Sequence, residues 1–60
     1  MSEYRFYAIK RDGHVEGPPA ERDCRDDRAA LKEAREMING RDIEVWENSR
    51  IIAYLTPDDK

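Results

Sequence analysis

Cys24 and His14 are the only thiol and the only imidazole in the chain, and so the first residues to weigh for thiol-based nucleophilic or zinc chemistry. A thiol just ahead of a helix can be activated by the partial positive charge there. Nucleophilic catalysis also needs a base within reach, and His14 falls at a predicted hairpin turn, away from Cys24 if the second strand runs the length of the sheet. Cys24 is therefore read as a buried, unreactive small hydrophobe. One cysteine and one histidine cannot make an internal disulfide or fill the four ligand positions of a structural zinc site. His14 beside Asp12 reads as a solvated pair at a turn. Asp26 and Asp27 read as helix-capping residues rather than paired acids or metal ligands, because nothing nearby completes an oxygen cage. No catalytic, cofactor-binding or metal site is expected, and the chain is read as non-enzymatic.

Binding chemistry is better represented. Arg28, Lys32 and Arg35 fall together along one side of a predicted helix, a spacing that can track phosphates. Glu33 and Glu36 flank that stripe and the net charge is negative, so it reads first as a solvated helix face. Tyr7 and Trp46 lie on strands, in the manner of sheets on which single-stranded RNA bases stack. Such surfaces usually carry basic residues among the aromatics, whereas here Arg5 is the main cation and Glu44 shares the face.

The elements that position these residues follow from local pattern. Tyr4-Arg5-Phe6-Tyr7-Ala8-Ile9 is rich in β-favouring residues and precedes Asp12-Gly13, a hairpin-turn dipeptide. The returning strand is expected from His14-Val15, where Gly17-Pro18-Pro19 confines it to a sheet edge or breaks it. A helix is predicted from about Asp26 to Asn39, with Ala30, Leu31, Ala34, Met37 and Ile38 on one arc and Gly40 closing its last turn in the left-handed conformation. Ile43-Glu44-Val45-Trp46 and Ile51-Ile52-Ala53-Tyr54-Leu55 then form a second hairpin about Asn48-Ser49. A two-residue loop would set Trp46 opposite Ile51, Val45 opposite Ile52, Glu44 opposite Ala53 and Ile43 opposite Tyr54. Thr56-Pro57 ends the last strand, and residues 56–60 are expected to fray.

The fold class is thus α+β, ββαββ, a four-stranded sheet of two hairpins with one helix packed on one face, in a single domain. Strand one beside strand three makes the sheet wholly antiparallel; beside strand four it makes the sheet mixed. One helix of about three turns covers only one side of such a sheet. Phe6, Ala8, Ile43, Val45 and Ile52 are assigned to that side. Tyr7, Ile9, Trp46 and Ile51, with Leu55 at the margin, are left on an uncovered apolar patch, and such a patch on a small domain marks an interaction surface. A two-fold partner presenting the same patch is the commonest way to cover it. The expected function is therefore a protein–protein interaction module that forms a homodimer, with Trp46 at the centre of the contact. The alternative is a nucleic-acid-binding regulator using Arg28, Lys32 and Arg35 or the aromatic face.

Several stretches together resemble a group of very short bacterial proteins with no assigned activity. They are Tyr4-Arg5-Phe6-Tyr7, Asp12-Gly13-His14, Cys24 before Asp26-Asp27, Ala30-Leu31 with Ala34-Arg35, and Asn39-Gly40 leading to Ile43-Glu44-Val45-Trp46 and Arg50-Ile51-Ile52-Ala53. The resemblance spans nearly the whole chain and implies a bacterial, cytoplasmic, single-domain protein without contributing a catalytic residue. The chain departs from that group at Gly17-Pro18-Pro19 and Glu21, where a regular apolar second strand is expected.

Charge and length agree with this reading. Charged residues make up 42% of the chain, and eleven basic against fourteen acidic residues leave a net charge of -3, so no bulk field favours nucleic acid or an anionic membrane. No apolar run approaches a membrane span, and Met1-Ser2-Glu3-Tyr4 lacks the basic-then-apolar layout of a signal peptide. With a lone thiol, this predicts a cytoplasmic protein.

Overall fold

The computed structural model describes residues 2–57. Four strands and one helix follow in the order β1 (Ser2–Ile9), β2 (Ala20–Cys24), α1 (Asp27–Met37), β3 (Asp42–Glu47) and β4 (Arg50–Leu55). The strands form one open sheet in the order β2-β1-β3-β4, every neighbouring pair antiparallel. The ββαββ, α+β architecture is as expected, and β1 beside β3 selects the wholly antiparallel arrangement. Among the described residues, no helix is long and apolar enough to cross a membrane. Of the tail expected to fray, residues 58–60 lie outside the described residues.

The first hairpin differs from expectation. Gly13, at φ 91°, donates its amide to the Lys10 carbonyl at 2.9 Å, and the Lys10 amide donates to the His14 carbonyl at 2.8 Å, so the chain does turn at Asp12-Gly13. Val15 then makes only a single bridge with Ile9. β2 begins at Ala20, after both prolines, which have no amide to give to a ladder. It pairs from Phe6↔Ala20 to Ser2↔Cys24, at the outer edge of the sheet.

The helix starts where its cap dictates. Asp26 stands outside the first turn and accepts the Ala29 amide on Oδ1 at 2.9 Å, while Asp27 sits against the positive end of the helix dipole. Ala30, Ala34 and Ile38 are buried, with Leu31 and Met37 half-buried beside them. Ala30 and Ala34, with their small side chains, let the helix lie close over Tyr4, Phe6, Ile43 and Val45, which with Cys24 and Ile38 complete the core. The helix end departs from expectation: Ile38 leaves the helix in an extended conformation and is buried. Gly40, at φ 79°, then redirects the chain toward β3 instead of closing the last helical turn.

The second hairpin turns on Asn48-Ser49, with Glu47 opposite Arg50 and Asn48 at φ 56°. Trp46 faces Ile51 as expected. Beyond that pair the register slips by one residue at a bulge between Val45 and Trp46, which sets Val45 opposite Ala53, Glu44 opposite Tyr54 and Ile43 opposite Leu55. A bulge places two residues of one strand against one of its neighbour and so reverses which face the later residues occupy. Leu55 therefore packs toward the helix and Tyr54 toward the open face.

Candidate interaction surface

On the side away from the helix, the pairing lines residues up in rows. One row runs Glu21, Arg5, Trp46, Ile51, and the next runs Tyr7, Glu44, Tyr54. Tyr7 and Trp46 meet edge to face, with ring centroids 6.5 Å apart and planes at 80°, a geometry favoured by the aromatic quadrupole. The polar tips of this face are tied down within the chain. Trp46 Nε1 donates to Glu44 Oε1 at 3.0 Å, and the Tyr54 hydroxyl donates to Asp42 Oδ2 at 2.6 Å. That bond to Asp42, more than burial, raises the Tyr54 phenol above its ordinary value. Arg5 stands 3.6 Å from Glu21. Around Tyr7, Trp46, Ile51 and Tyr54 the face therefore offers apolar ring and aliphatic surface, bordered by the exposed charges of Arg5 and Glu21.

Tyr7, Trp46 and Ile51 are brought together as the sequence predicts. Ile9 is not available with them: it is buried, beside a hollow lined by Arg11, Arg41, Asp42 and Pro57. Trp46 is half-buried rather than prominent. The large apolar residues most exposed are Val15, Ile51 and Tyr54, at 50%, 47% and 48%. Val15 and Tyr54 were not legible as surface residues, Val15 because the second strand was expected to start there and Tyr54 because no residue type marks the bulge. Val15, Tyr7, Glu44, Trp46 and Asn48 surround a shallow depression of about 290 Å³.

The basic stripe behaves differently. Arg28 and Lys32 line a groove of about 890 Å³ between the helix and the edge strand β2, whereas Arg35 does not. Arg22 and Arg25 join them there, and Asp23, Asp26, Glu33 and Glu36 balance them one for one. A second hollow of about 560 Å³, floored by Phe6, Ala8, Met37 and Ile43, lies at the helix C-terminus, where Arg41 and Glu16 pair at 2.6 Å.

Cys24 and His14 lie toward opposite ends of β1, on the order of 20 Å apart along the strand. Cys24 is buried, and burial pushes its thiol above the ordinary value. His14 is exposed: its amide donates to Asp12 Oδ1 at 3.0 Å, and Nδ1 stands 3.2 Å from Oδ2. The amide bond is the main cause holding the Asp12 carboxyl below its ordinary value. Among the described residues, no three His, Cys, Asp or Glu side chains are grouped to hold a metal ion. No protein-family model, curated protein or solved structure matches the chain.

Proposed function

We propose that this protein is a non-enzymatic interaction module that associates with a second copy of itself through the exposed apolar residues of its uncovered sheet face. The observation that carries the reading is the exposure of Ile51 and Tyr54 beside the Tyr7–Trp46 pair, on the face the helix leaves open. A contiguous apolar group on so small a domain is an association surface or an aggregation hazard. A core of this size supplies only a few kcal/mol, so a second subunit also adds stability. A lone cysteine suits a reducing compartment, and a cytoplasmic location is part of the proposal.

The four-against-four charge balance along the β2 groove gives a polyanion no net attraction. Replacing Ile51 by lysine tests the reading. It puts a charge in the exposed apolar group beside Trp46 and is expected to dissociate the dimer in size-exclusion chromatography with light scattering. A dimer that survives Ile51→Lys unchanged, or protein that purifies with bound nucleic acid and stays monomeric once freed of it, contradicts the reading.

A further inference from the structure

The two edges of the sheet are unlike. β2 exposes Glu21, Arg22 and Asp23 within five residues, and charge on an edge strand resists the addition of another strand. β4 reads Ile51-Ile52-Ala53-Tyr54-Leu55 after Arg50, with no further charge and no proline. We propose that the second copy docks along this edge, joining two sheets through an antiparallel β4–β4 pair whose two-fold axis passes between Ile52 and Ala53. The inference rests on the homodimer reading and assigns its contact.

The facing pattern of β4 carries it. Arg50 lies opposite Glu47 and within 3.6 Å of Asp27, on the helix side. Ile51, opposite Trp46, is on the open side. Ile52 and Ala53 both pack on the core, Tyr54 is open again beside Glu44, and Leu55 returns to the helix side opposite Ile43. Helix, open, helix, helix, open, helix reads the same in both directions. Residues directly opposite each other in an antiparallel pair share a face. A two-fold axis at the centre of this pattern therefore matches all six positions, with Ile51 of each copy against Tyr54 of the other. A strictly alternating strand would put Ile51 and Tyr54 on opposite faces and lose the match.

A bulge usually turns an edge away from further pairing. Here the axis brings two identical bulges together, so the spacing from Ile51 to Tyr54 is equal on both strands and the ladder stays in step. Charge favours the same arrangement. Stacking two open faces would take Glu21, Asp42 and Glu44 of each copy out of water with Arg5, beside Glu21, as the nearby cation, whereas joining the edges leaves these carboxylates in water. The most exposed apolar residues of β4 then cover each other.

Sedimentation of two double variants tests the register. Both positions are about half exposed, and circular dichroism verifies that each variant keeps the fold. Ile51→Lys with Tyr54→Lys sets like charges against each other twice and is expected to abolish the dimer. Ile51→Lys with Tyr54→Glu sets lysine against glutamate twice and is expected to retain it. A dimeric wild type whose two double variants are both monomeric overturns the edge register and leaves the homodimer reading standing, whereas two dimeric double variants place the contact away from Ile51 and Tyr54 and overturn both. A monomeric wild type overturns both.

Discussion

The Tyr4 hydroxyl donates to Asp27 Oδ1 at 2.8 Å, tying the first strand to the first turn of the helix across 23 residues of sequence. Arg50 approaches the same Asp27 oxygen at 3.6 Å and bonds Glu47 Oε1 at 2.5 Å, so β1, α1 and the β3–β4 hairpin meet in one polar cluster at the rim of the core. The bonds from Arg50 and then Ser2 hold the Glu47 carboxyl below its ordinary value.

This cluster predicts an alkaline limit to stability. Burial, reinforced by the bond to Asp27, pushes the Tyr4 phenol up to about 12. An unfolded tyrosine ionises near pH 10. The protonated phenol therefore favours the folded chain fully below about pH 10, and that contribution is lost as pH rises toward 12. Urea unfolding across this range should show stability falling, and Tyr4→Phe should flatten the fall. An equally steep fall in Tyr4→Phe would place the cause elsewhere.

Asp26 caps the helix through the Ala29 amide, so Asp26→Ala is expected to cost about 1 kcal/mol and Asp26→Asn far less. For a domain of this size, 1 kcal/mol moves the melting temperature by roughly 4–8 °C. Thermal melts at one protein concentration read the difference, and equal melting of Asp26→Ala and wild type would contradict the capping role.

Cys24 is expected to react with a thiol reagent only through unfolding, because its sulfur lies in the core and burial opposes the thiolate. With about 3 kcal/mol of stability, labelling should be slowed on the order of a hundredfold relative to the protein in denaturant. Prompt native labelling would show that the end of β2 opens locally.

The helix was legible because its signals agree, an aspartate cap and apolar residues on one arc, but its end was not, since the chain leaves at Ile38 ahead of Gly40. The Asn48-Ser49 turn and the Trp46–Ile51 pair were legible because register next to a tight turn is set by the turn itself. Other features were not. Asp12-Gly13 signals an immediate return, yet the prolines delay pairing until Ala20, which leaves Val15 with one bridge. The bulge beyond Ile51 leaves no mark in an all-apolar run, and it alone moves Tyr54 to the open face and Leu55 to the core. Ile9 alternates onto the open face but is buried at the end of β1. Strand order depends on how the hairpins pack on the helix, which no local residue pattern encodes.

Sedimentation equilibrium of the wild-type chain over a range of concentrations decides whether two copies associate. A mass of two chains is expected at high micromolar concentration, falling toward one chain on dilution. The mass of a single chain throughout that range would contradict it.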